Sequence, residues 1–115
     1  MAIEMLNLGN RLALLSAAAM AVALVSAPAA FGHDYTVVMS NMDYGALPSG
    51  LKVGDTILWV NHDTVLHSIT ARDHSFDIRL SPGKSATQVM DKAGRIAFIC
   101  LFHPTMSGAL VVAPK

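Results

Sequence analysis

The sequence predicts an all-β protein: a small antiparallel β-sandwich with Greek-key connections and about eight strands, preceded by a cleavable leader. Three observations predict it. Beyond residue 33, apolar side chains alternate over short runs with a period of two. Gly, Pro, Asn and Asp cut those runs at close intervals. No later stretch keeps a helical period long enough to bury a helix face. The full length, 115 residues, suffices for one domain.

The leader comes first. Arg11 supplies a basic flank, and Leu12 to Val25 is apolar except for Ser16. That run is too short and too Ala-rich for a membrane span but suits the core of a signal peptide. Small residues at Ala27-Pro28-Ala29 place cleavage near Ala29, with a second position after Gly32, just before His33. The chain therefore divides into a signal peptide, 1–29, and a mature domain, 30–115. The expected location is periplasmic or otherwise exported, with no membrane span in the mature form. Much of the 53% apolar content lies in the leader.

The mature chain reads as successive short strands. Tyr35, Val37 and Met39 alternate with Thr36 and Val38. Leu51-Lys52-Val53 follows, ended by Gly54-Asp55. In Thr56–Asn61, Ile57 and Trp59 share one side, and Leu58 and Val60 the other. Leu66–Ala71 comes next, then a looser piece around Phe76 to Leu80. Pro82-Gly83 and Ala93-Gly94 punctuate the flanks of Ser85–Met90. Arg95–Cys100 and Ala109–Val112 complete the set. Eight short strands in a domain of this size indicate a sandwich.

Composition excludes several functions. Eight Lys+Arg balance eight Asp+Glu, so the chain has no cationic excess for nucleic acid. A single cysteine rules out an intramolecular disulfide framework and a Cys-only zinc site. No Ser/His/Asp order or paired-carboxylate arrangement stands out, and no enzyme is predicted. Five histidines are too few for a multicopper oxidase or nitrite reductase.

The lone thiol has company. Cys100-Leu101-Phe102-His103-Pro104-Thr105-Met106 is a Cys-x2-His-x2-Met loop between two strands, and His67 stands inside an upstream strand. A thiolate, two imidazoles and a thioether form a soft, mixed donor set that favours copper over hard cations. Cys100 is in phase with Ile96 and Phe98, so its sulfur is expected to point inward. Taken singly, a buried Cys or Met is an ordinary core residue. Their joint spacing in an exported all-β domain sets these apart. His62 and His74, flanked by polar residues, read as exposed turn residues. His33 would become a chelating N-terminus only if cleavage fell after Gly32.

With these motifs in view, the sequence resembles the cupredoxins, the blue type 1 copper proteins, and within them the amicyanin and plastocyanin-like group. The resemblance runs from about Tyr35 to Val112 through Val53-Gly54-Asp55-Thr56, Trp59-Val60-Asn61, Leu66-His67-Ser68, Ser75-Phe76-Asp77, Leu80-Ser81-Pro82-Gly83 and the Cys100–Met106 loop. It implies one copper ion held by His67, Cys100, His103 and Met106, cycling between Cu(I) and Cu(II). It also implies a monomeric one-electron carrier that docks redox proteins near His103, on a patch of Leu66, Leu101, Pro104 and Thr105. Phe98, Phe102 and Met42 are expected to form a dry shell around the metal. The alternative is a copper-handling chaperone or tolerance factor. Ser68 departs from the group, which has Asn there tying the two ligand loops together. Leu66 and Thr105 stand where amicyanin has Pro and Phe.

Overall fold

The computed structural model describes residues 32–115, so the leader and its scission near Ala29 lie outside the described residues. Nine strands form among these residues, eight of them where the period-two runs stand: β1 (Asp34–Ser40), β2 (Asp43–Tyr44), β3 (Leu51–Lys52), β4 (Thr56–Asn61), β5 (His67–Ala71), β6 (Asp77–Leu80), β7 (Ser85–Val89), β8 (Gly94–Ile99) and β9 (Ser107–Ala113). They build two sheets, one ordered β2-β1-β4-β7 and the other β3-β9-β8-β5-β6. No helix among the described residues is long and apolar enough to cross a membrane.

Alternation decides which residues fill the space between the sheets. Val37 and Met39 of β1 and Ile57 and Trp59 of β4 are fully buried from one side. Ile69 of β5, Phe98 of β8 and Leu110 of β9 meet them from the other. Each such side chain contributes about 1.5–3 kcal/mol on leaving water. Leu58, on the outer face of β4, remains exposed.

Two features go beyond the predicted pattern. Most ladders are antiparallel as expected, but β1 runs parallel to β4 and β3 parallel to β9. Alternation reports which face a residue occupies, not which way its neighbour runs. Parallel neighbours require crossover connections in place of tight hairpins, and here the chain leaves the first sheet after β2 to form β3 and returns as β4. The second feature is β2 itself, two residues long and closed onto β1 through Asn41 (φ 53°) and Met42 (φ 60°). A two-residue turn with both φ values positive usually takes Asn-Gly, and Met in the second place masks the signal.

β2 delivers Tyr44 to the core. Its ring meets Phe98 edge-on at 4.9 Å and Trp59 at 6.3 Å, and Trp59 meets Phe98 at 5.7 Å. Edge-to-face pairs of this kind add about 0.5–1.5 kcal/mol beyond burial. Phe98 has room because its β9 neighbour is Gly108. A Cβ at Gly108 would lie 2.6 Å from Phe98 Cζ and 3.0 Å from Leu47 Cδ1. Gly108→Ala should therefore destabilise the fold by about 1–3 kcal/mol through overpacking. Urea denaturation measures this, and an unchanged midpoint would show that the ring moves aside freely.

Candidate metal centre

Three loops meet at one end of the sandwich. The first follows β4, whose last residue, Asn61, is fully buried. Its Nδ2 donates to the Val65 and Leu80 carbonyls, at 2.8 and 2.9 Å, and its Oδ1 accepts from the Asp63 N–H at 2.9 Å. One amide thus shapes the segment that ends at His67. The second loop joins β8 to β9. It closes through Cys100 N–H to the Met106 carbonyl, 3.0 Å, and Met106 N–H to the His103 carbonyl, 2.9 Å. The third is the β1–β2 turn.

The ligating atoms of His67, Cys100 and His103 all lie within 4.8 Å of one another. Cys100 Sγ is 3.9 Å from His67 Nδ1, and the two imidazole centroids are 4.9 Å apart at 75°. Bonds of about 2.0 Å to nitrogen and 2.3 Å to sulfur, at a trigonal angle, separate such donors by about 3.7 Å. His67, Cys100 and Met106 are buried, while His103 is half-buried. Met106, paired through its backbone with both Cys100 and His103, closes the loop. This set of donors fits a single copper ion, which takes thiolate, imidazole and thioether together.

Hydrogen bonds fix which nitrogen each imidazole presents. His67 Nε2 lies 2.7 Å from Asp63 Oδ2, and a carboxylate only accepts, so the proton sits on Nε2 and the Nδ1 lone pair faces the cysteine. His103 Nε2 donates in the same way to the Leu66 carbonyl at 3.1 Å, so in the neutral ring Nδ1 is the nitrogen free to coordinate. The His67 bond, foremost, holds the Asp63 carboxyl below the usual carboxylate range, helped by the Met42 and Asn41 N–H groups. Those two N–H groups donate at 3.0 and 2.8 Å, so Asp63 also stabilises the left-handed turn. The thiol, in turn, accepts the Ser68 N–H at 3.3 Å. Tyr44 donates its hydroxyl to the Ser68 carbonyl. Burial, and after it the nearby Cys100 charge, push the Tyr44 phenol well above its usual range.

The four residues named from sequence all stand at this end of the domain. Of the dry shell, only Phe98 is buried; Phe102 is 40% and Met42 41% exposed. Phe102 turns outward because it sits in the loop between two strands, where it meets the Arg79 guanidinium at 5.8 Å. Met42 does so because the left-handed turn projects it from the sheet edge. His62, His74 and His33 are exposed and outside the donor cluster. Asp63 was missed. Its signal was present in the Asp-x3-His spacing, but a polar loop residue gives no hint of its partner in sequence alone.

Comparison with known proteins agrees with this geometry. The family model of the cupredoxin-like domain matches residues 13–112, and the chain belongs to that family. Among solved structures, a reduced amicyanin with a proline substitution is 25% identical, with a TM-score of 0.59, covering 69% of this chain and 81% of that one. An amicyanin from Paracoccus versutus is 22% identical, with a TM-score of 0.58, covering 76% and 85%. No match was found among curated proteins.

Asp63→Ala should loosen the β1–β2 turn and free the His67 ring to rotate, weakening copper affinity by about 10–100-fold. Chelator competition measures this, and wild-type affinity would show that packing alone orients the imidazole.

Proposed function

We propose that this chain is an exported mononuclear copper protein that carries single electrons between redox partners, with His67, Cys100, His103 and Met106 as ligands. The observation that supports it best is the convergence of a buried thiol and two imidazoles of fixed tautomer, one of them reaching the surface. Copper held there supplies a one-electron Cu(I)/Cu(II) couple, and every other requirement falls on the chain. The loop bonds of Cys100 and Met106 and the Asp63 bond to His67 hold the donors in one arrangement, so little has to move when the charge changes.

His103 serves as the electron port. Leu66 and Leu101 beside it are 37% and 46% exposed, Pro104 and Thr105 are exposed, and Val65 and Phe102 extend the apolar rim. Apart from the mutually paired Arg79 and Asp77 beside Phe102, the rim is apolar, which favours the small, short-lived contact that a carrier needs. Export rests on the leader-like residues 1–29. The copper-handling alternative is less well supported. Handing metal over calls for open donors, whereas three of the four here are buried, and Met39 is a core residue.

Adding Cu(II) to the purified protein should produce an intense blue thiolate-to-copper band that Cys100→Ala abolishes, together with reversible voltammetry. A colourless complex would contradict the copper assignment, and a blue but electrochemically irreversible one would contradict the carrier role.

A further inference from the structure

Ser68 stands between the two ligand loops and uses every polar atom it has. Its N–H points at Cys100 Sγ, and its carbonyl accepts from Tyr44. Its hydroxyl accepts the Leu101 N–H at 2.8 Å and lies 2.9 Å from Thr70 Oγ1. Thr70 Oγ1 lies 2.8 Å from Asp77 Oδ1. Only one direction satisfies all of these contacts. An ionised carboxylate only accepts, so the Thr70 hydroxyl donates to Asp77. Its oxygen then accepts from Ser68, whose own lone pair is left facing the Leu101 N–H.

The resulting chain runs Leu101 N–H to Ser68 to Thr70 to Asp77. Its inner members are sealed: Ser68 is fully buried and Thr70 is 7% exposed. Its outer end is not, because the Asp77 side chain is 42% exposed. The second Asp77 oxygen accepts from Arg79 Nε and Nη2 at 3.2 and 3.1 Å. Arg79 also lies against Phe102, the residue after Leu101 in the ligand loop. The Thr70 hydroxyl, foremost, and then Arg79 keep the Asp77 carboxyl below its usual range, so it remains an acceptor.

We infer that Thr70 and Asp77 are positioning residues for the metal centre: Asp77, at the surface of β6, acts through the buried Thr70 of β5 to fix the direction of a hydroxyl chain that fastens the Cys100–Met106 loop and keeps the Ser68 N–H aimed at the thiolate. This rests on the copper reading above. Ser68 reaches the Leu101 N–H by itself, and the second hydroxyl and the carboxylate decide which way its hydrogen points. Hydrogen bonds in a one-way chain polarise one another, so the anionic end strengthens the bond at Leu101. Without Thr70, the Ser68 hydroxyl loses its acceptor, so its orientation is no longer fixed and the bond it accepts from the Leu101 N–H is no longer strengthened from the anionic end. The loop then loosens, and the N–H···S contact lengthens. A thiolate relieved of that contact keeps more negative charge and favours the oxidised metal.

Thr70→Val conserves shape and charge while removing the link. The copper-loaded variant is expected to show a lower reduction potential, a shifted thiolate-to-copper band and Cu(I) affinity weaker by about tenfold. Thr70→Ser keeps the hydroxyl and should restore all three. In a Ser68→Ala background, Thr70→Val should add nothing further, because the route through Ser68 is already cut. In the metal-free protein, the Leu101 amide should exchange with solvent faster in Thr70→Val. A fall in thermal stability with potential, band and affinity unchanged would overturn the inference and leave the chain a purely structural one. Additive effects in the double variant would also overturn it. Failure of the copper reading would instead show in the wild type, as the absence of any blue band.

Discussion

The meeting of Ser68 with Cys100 and Leu101 ties together the two segments that build the metal end of the domain. It joins the start of β5, which carries His67, to Cys100 and Leu101, which directly follow β8, across the N–H···S and N–H···O bonds. Without it the two ligand-bearing segments would be neighbours only through their sheet. With it, the imidazole and the thiol share one rigid frame. Tyr44 braces the same residue from the core side through the Ser68 carbonyl, and its ring packs against Phe98. The metal end is thereby keyed into the aromatic cluster between the sheets.

Polar groups at this end do work that apolar packing could not. Asn61, Asp63, Ser68 and Thr70 are close to the interior, and no buried side-chain nitrogen or oxygen among the described residues lacks a partner. Each unsatisfied group would cost about 1–3 kcal/mol, so a network of this kind is stabilising only when complete. Completeness also gives direction. The acceptor-only carboxylates of Asp63 and Asp77 decide where the protons of His67 and of the two hydroxyls lie. Meanwhile His103 is only half-buried and lies among the exposed Leu66, Leu101, Pro104 and Thr105, as the proposed docking of a redox partner there requires.

Much of this was legible in the sequence. Val37, Met39, Ile57 and Trp59 announced their sheet faces by alternation, and the Cys-x2-His-x2-Met loop with His67 announced the donor set. Three things were not legible, each for a physical reason. The parallel pairing of β1 with β4 left no trace, since side-chain period carries no strand direction. β2 was hidden by a Met in a left-handed turn, held there by Asp63 from another loop. The supporting roles of Asp63, Thr70 and Asp77 depend on contacts between segments, and such residues look like ordinary loop and strand polars until the chain is folded. Phe102 and Met42 were misplaced because hydrophobicity was read as burial, although loop and turn geometry turns both outward.

The central claim is that the fold assembles the donors before any metal arrives. High-resolution crystal structures of the metal-free and copper-loaded protein test it most directly. The donor atoms of His67, Cys100 and Met106 should superpose within about 0.5 Å, with the Ser68 bonds to Cys100 and Leu101 present in both forms. A metal-free protein whose Cys100–Met106 loop is rebuilt, or whose Ser68 contacts form only on loading, would contradict it.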